Sequence, residues 1–151
     1  MLRIASVDPG SADARRLIAE LDMALAAITG DSGAASFDPD DARGPGAAFV
    51  IARADGVAVG CGALRPLQEN VGELKRMYAR PASGAGAHIL AELERLALAA
   101  GYRELWLSTR RVNGRALRFY QRHGYAPVPP YGRYGERPAS ICLGKYLTGA
   151  A

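Results

Sequence analysis

"RPASGAGAHILAELERLALAAGYRELWLS", residues 80 to 108, reads as a glycine-punctuated loop, an apolar helix and a strand. Ile89, Leu93, Leu96, Ala97 and Ala100 recur at helical spacing on one face, and Gly101 follows where a helix would end. Ahead of the loop stands "GELKRMYA", residues 72 to 79, a strong strand candidate. The unit is β-α-β, and its crossover is expected to be parallel and right-handed. Gly84 and Gly86 fall where the helix begins. Free N–H groups and the positive end of the helix dipole at such a place suit a phosphate.

Working outward, "LRIASV" reads as a first strand. Ser11 then caps a helix whose Leu17, Leu21, Leu25 and Ile28 share a face and which stops at Gly30. "GDSGAASFDPDDARGPG" is loop, with one helical turn near Pro39. "AFVIARADGVAVGCGALRPL" is a hairpin, because Asp55-Gly56 separates two alternating β-branched runs and favours positive φ. After the opening stretch come a helix from Asn113 to His123 and a closing strand "SICLGKYL". The predicted order is β-α-β-β-β-α-β-α-β. That is a mixed-sheet α/β fold, mostly antiparallel around one parallel crossover, expected as one domain over residues 1–151.

Composition narrows the class of protein. The chain is 49% hydrophobic and 23% charged, without an apolar run of membrane-spanning length and without a signal-peptide core in "MLRIASVDPG". Cys61 and Cys142 lie in apolar strand-like stretches and have no metal-ligand spacing, so reduced core thiols, no metal and a cytoplasmic location are expected. The net charge of +4 is compatible with anionic ligands and does not demand nucleic acid. "STRRVNGRALRFYQRHGY" carries Arg110, Arg111, Arg115, Arg118 and Arg122 with no acid. A solvated helix face explains this, and so does an anion near the glycine loop. A nucleic-acid surface would want interleaved exposed aromatics, which are missing.

The loop admits three readings. A Walker A motif needs Gly-Lys-Ser/Thr, and Gly86-Ala87-His88 stands there instead. A dinucleotide fold needs three glycines and an acid ending the second strand, whereas Ser108 occupies that end and "ELKRMYA" is charged for a strand buried on both faces. The third reading is a tight strand-to-helix turn with no ligand.

The stretches "ELKRMY", "AAGYRELWL" and "NGRALRFYQRHGY" (113–125), taken together over residues 47 to 147, resemble the GNAT superfamily of acyl-CoA-dependent N-acetyltransferases. "PVPPYGRY" is similar to a bacterial subgroup acting on small molecules. The resemblance implies a mixed sheet whose two central parallel strands splay apart to admit acetyl-CoA, with no metal. One departure stands out. Arg80-Pro81-Ala82-Ser83-Gly84-Ala85-Gly86 is two residues shorter than the family's common loop and lacks a basic residue before the glycines. Losing that charge-assisted contact would weaken binding by ~1.5–3 kcal/mol.

The same resemblance implies roles for particular residues. Backbone N–H groups of Gly84, Ala85, Gly86, Ala87 and His88 would cradle a pyrophosphate, and the backbone of Met77, Tyr78 and Ala79 would pair with the pantetheine arm. Tyr120 would be the general acid toward the leaving sulfur; a core aromatic is the alternative. Asn113 would hydrogen-bond the cofactor arm, act as a helix N-cap, or both. Glu73 would be the general base, or else a surface glutamate paired with Lys75 or an arginine on a neighbouring strand. His88 as a base is disfavoured by its place in a packed helix. Phe119 is expected to face the core beside Tyr120. Tyr131, Arg133 and Tyr134 would form the rim for a small-molecule or peptide amine. The protein is expected to be a monomer or homodimer, without nucleic-acid or membrane partners. A CoA-binding sensor with a degraded loop and little turnover is the rival function.

Overall fold

The computed structural model describes residues 1–132 and 137–148. Strand β1 (Leu2–Ser6) leads to helix α1 (Ala12–Thr29), then to β2 (Ala48–Ala54), β3 (Val57–Gln68) and β4 (Val71–Ala79). Helix α2 (Ala85–Ala99), β5 (Glu104–Arg110), α3 (Gly114–Arg122), the two-residue β6 (Ala126–Pro127) and β7 (Ser140–Tyr146) complete the order. The seven strands form one sheet in the order β1-β2-β3-β4-β5-β7-β6. Each neighbouring pair is antiparallel except β4 and β5. This is the mixed α/β architecture expected from the sequence, with the short β6 added.

Helices cover both faces, which explains why the strands are apolar on successive residues rather than on alternate ones. On β2, Val50 and Ala52 pack with Ile89, Leu93 and Ala97 of α2, while Phe49 and Ile51 pack with Ala14 and Leu17 of α1. Helix α3 lies on the α2 side, where Tyr120 joins that cluster. Ser11 accepts the Ala14 N–H at the start of α1, and Gly30 closes the helix in the left-handed conformation. Ile28 departs from expectation. It is 48% exposed, because the last turn of α1 runs past the core beneath Leu17 and Leu21. The hairpin turns on Asp55 and Gly56 at φ 50° and 85°. Both cysteines are buried and unbridged, and burial pushes the Cys61 thiol up to about 12. No helix among the described residues is long and apolar enough to cross a membrane.

Candidate functional site

The site opens where two strands part. β4 and β5 pair only at Val71–Glu104, Gly72–Leu105 and Glu73–Trp106. One cause lies in β4. Ala63 of β3 faces Lys75 while Cys61 faces Tyr78, so β4 holds one residue more than its partner at this point. The extra residue is at Arg76, whose φ is +53°. A bulge of this kind bends its strand and turns two successive side chains to one face. The contacts agree with that. Arg76 forms an ion pair with Asp22 of α1 and donates from Nη1 to Ser32 O at 3.4 Å. Lys75 lies 3.9 Å from Glu73, and the Tyr78 hydroxyl donates to Glu20 of α1 at 3.1 Å. Met77 packs toward α2.

A cavity of about 220 Å³ fills the gap, with β4 from Glu73 to Met77 on one side and β5 from Leu107 to Arg110 on the other. It passes through the sheet, from Leu21 and Leu25 of α1 to Asn113, Ala116 and Tyr120 of α3. Glu73 stands at the last paired rung and is 1% exposed. Its carboxylate accepts from Arg65 of β3 at 2.9 Å and from the Tyr131 hydroxyl at 2.7 Å. It therefore pairs with a neighbouring arginine, as one sequence reading allowed, but as a buried group and not a surface one. Tyr131 is held against Trp106, ring centres 5.5 Å apart.

Tyr120 lines the cavity from the opposite face and is 7% exposed. Its ring meets Phe119 and Tyr125 edge-on at 5.2 and 5.7 Å. Loss of solvation raises its phenol above the ordinary tyrosine value, so it stays protonated through the neutral range. Phe119 packs against the core cluster, as expected, and is only partly buried. Its ring sits against the start of α2, where a Cβ on Gly86 would meet it at 3.3 Å. Asn113 caps α3 by accepting the Ala116 N–H at 3.3 Å, which leaves its NH₂ end to donate elsewhere.

The glycine loop closes the α2 side. Gly84 adopts φ +70° and offers no side-chain cap, and a Cβ there would meet nothing within 4 Å. Ala85 N–H donates to Ser83 Oγ at 3.3 Å, whereas the N–H groups of Gly86 and Ala87 begin the helix without such a cap. His88 is exposed in the first turn. Arg80 turns away from the loop and forks onto Glu20, at 2.9 and 2.7 Å. Arg80 N–H donates to Val59 O at 2.8 Å; by alternation, Tyr78 faces β3 while Met77 and Ala79 present their backbone groups to the gap.

The structure thus brings Glu73, Met77, Asn113 and Tyr120 to one cavity, with Tyr131 bound to Glu73. Arg133 and Tyr134 lie outside the described residues. Of the arginine cluster, Arg110 lines the cavity and pairs with Asp31 at 2.6 Å, while Arg115, Arg118 and Arg122 are exposed on α3. No group of three or more potential metal ligands occurs among the described residues. Sequence reasoning missed Lys75, Arg76 and Asp31 as cavity residues. The bulge that groups the first two had no local signal.

Comparison with known proteins agrees with this geometry. Residues 16–125 match the model of the acetyltransferase (GNAT) family. A protein of Azospirillum brasilense named "IAA acetyltransferase" is 32% identical over 136 residues, which cover 87% of this chain and 89% of that one. A crystal structure from Klebsiella pneumoniae, described as an acyl-CoA N-acyltransferase, is 29% identical with a TM-score of 0.82, covering 98% of this chain and 99% of that one. PaiA N-acetyltransferase from Thermoplasma acidophilum, solved with coenzyme A, shares the fold at 18% identity and a TM-score of 0.71, over 97% and 99% of the two chains.

Proposed function

Because the chain belongs to the GNAT family of N-acetyltransferases, we propose that residues 1–151 form one catalytic domain moving an acetyl group from acetyl-CoA to a primary amine. The observation that carries this reading is the cavity at the end of β4–β5 pairing, with Glu73 on one face and Tyr120 on the other. The α2 side fits the cofactor for a stated reason. Gly84 keeps its backbone clear of any side chain, and the unpaired edge of β4 has strand groups to share.

Acetyl-CoA, when bound, supplies the activated acyl group. The N–H groups of the Gly84–His88 turn hold the pyrophosphate, and Met77 and Ala79 pair with the pantetheine arm as an added strand would. One of those N–H groups also meets the carbonyl oxygen as negative charge develops. Asn113 donates to the arm from its NH₂ end. On the other face Glu73 takes the amine's proton, directly or through a water, with Arg65 and Tyr131 fixing the carboxylate's position. Tyr120 gives its proton to the departing sulfur. The apolar surroundings that raise its phenol also disfavour a bare thiolate, so the transfer relieves a charge that burial would otherwise penalise.

A second reading has one observation in its favour. Arg80 is committed to Glu20, so the loop presents no basic side chain to a phosphate, as a weakly binding CoA sensor would have it. Binding and turnover separate the two. Acetyl-CoA at a hundred times its Kd should add ~2.7 kcal/mol to stability, roughly 5–10 °C in Tm. No shift at millimolar concentration, with a silent calorimetric titration, would refute both readings.

A further inference from the structure

The Gly84 turn offers a phosphate backbone N–H groups but no cation, because Arg80, the one basic residue of the stretch 80–86, forks onto Glu20. Helix α3 stands beside that turn. Its Phe119 ring lies where a Cβ on Gly86 would meet it at 3.3 Å. Arg115 and Arg122, four residues before Phe119 and three after it, neighbour that ring on the helix surface. Two turns, ~10.5 Å along the axis, separate them, a span that two arginine side chains can close on one phosphate. Both are exposed, as is Arg118, and none of the three guanidinium groups makes a hydrogen bond or an ion pair with another described residue. The carboxylates of α2 are engaged elsewhere, Glu92 by Arg95 and Glu94 by Tyr125 and Lys145. This arrangement has a local cost. Arg115, Arg118 and Arg122 repel one another at helical spacing, and Arg115 lies in the first turn of α3, at the positive end of its dipole. An anion between Arg115 and Arg122 offsets both.

We infer that Arg115 and Arg122 hold the 3′-phosphate of the cofactor's adenosine, so that positive charge for the cofactor comes from α3 and not from the loop. This rests on the acetyl-CoA reading and assigns residues to a part of the cofactor that the reading left open. With the pyrophosphate on the Gly84–His88 turn and the pantetheine arm running inward along β4, the adenosine end is left on the solvent side, where both arginines stand. Its 3′-phosphate is a monoester and carries about −1.5 to −2 near neutral pH, more than either phosphate of the pyrophosphate bridge. Guanidinium groups bind such a cluster of oxygens through paired N–H donors. The consequence is a cofactor preference: the site distinguishes CoA from dephospho-CoA, which differs only in that group. Arg118 serves as an internal comparison. Helix geometry turns it ~100° from Phe119, and its Nη1 folds back over Gly114, whose Cβ would meet it at 3.1 Å.

The test is titration calorimetry of CoA and dephospho-CoA against wild type, Arg115→Gln, Arg122→Gln, their double variant and Arg118→Gln. Wild type should bind CoA about 10–100-fold more tightly than dephospho-CoA. The preference should shrink in each of the first two variants, vanish in the double variant and survive in Arg118→Gln. It should also fade in wild type at ~1 M salt, where the Debye length falls to about 3 Å. Each ratio is read on one preparation, so a misfolded fraction cancels. Equal binding of the two ligands by wild type overturns the inference while leaving acetyl-CoA binding intact. A double variant that keeps the preference overturns it too, including one that loses affinity equally for both ligands, which would put the arginines on the pyrophosphate. No binding of either ligand by wild type counts against the cofactor reading itself and this inference with it.

Discussion

The two faces of the cleft are made of different materials. Toward α2 and α3 the wall is mostly backbone and neutral: the Gly84 turn, the open edge at Met77 and Ala79, and the uncharged groups of Asn113 and Tyr120. Toward α1 it is charged side chains, with Glu73, Arg76 and Arg110 each tied to a partner from another part of the chain and Lys75 beside Glu73 on its own strand. A wall of backbone needs only a strand, a turn and a helix in the right order, so many sequences can build it. A wall of side chains depends on which residues happen to face it. The first suits a cofactor shared by a family, and the second an acceptor peculiar to one member.

Mutation can break this division on either side. The largest effect is expected from Glu73→Gln, which keeps the shape and the Tyr131 contact but removes the proposed proton acceptor. The rate should fall ~10²–10⁴-fold and the acidic limb of the pH–rate profile should flatten. A variant within twofold of wild type across pH 6–9 would move the base elsewhere. Next comes Tyr120→Phe, for which we expect kcat to drop ~10–10³-fold with acetyl-CoA affinity almost unchanged. Because burial raises this phenol above 10, it should contribute no alkaline limb below that pH. A variant that is active but less stable would make Tyr120 a packing residue.

The backbone wall should respond in affinity and not in chemistry. Gly84→Val meets no atom, yet φ +70° strains a β-branched residue by ~1–2 kcal/mol. If the turn relaxes to relieve that strain, Kd for acetyl-CoA rises roughly 5–30-fold while kcat at saturation holds. An unchanged Kd in titration calorimetry would remove the Gly84 turn from the cofactor site. The smallest effect lies behind the site. Arg80 holds the Glu20 carboxyl below its ordinary value, so the pair contributes stability above pH 4.5 and loses it as pH falls through the lowered folded value. Glu20→Gln should lower Tm by ~1–4 °C at pH 7, with the gap closing toward pH 3. A gap independent of pH would show that the charge does not matter.

The same division decides what could be read from the residues alone. The hairpin at Asp55-Gly56, the β4-α2-β5 crossover and the α3 stretch holding Asn113 and Tyr120 all have local patterns, and these are the parts that build the backbone wall. Arg76 has none. An arginine with positive φ is held there by Asp22, 54 residues earlier in the chain, and no short-range rule signals it. Glu73 sits in a strand covered on both faces, so its burial follows from the layers above and below and not from "GELKRMYA" itself. The Phe119 ring packs on the core beside Gly86 at the start of α2, a contact between two elements that the 113–125 pattern alone does not specify. Two residues, Ala126 and Pro127, are too few to show a strand's alternation.

Whether the two walls meet to carry out one reaction is decided by product analysis. Acetyl-CoA and a panel of primary amines are mixed with the enzyme, and free CoA and acetylated amine are quantified together. The two should form in equal amounts, with turnover depending on Tyr120 and Glu73. Tight acetyl-CoA binding with no acetylated amine, and CoA released only at the rate of background hydrolysis, would contradict it.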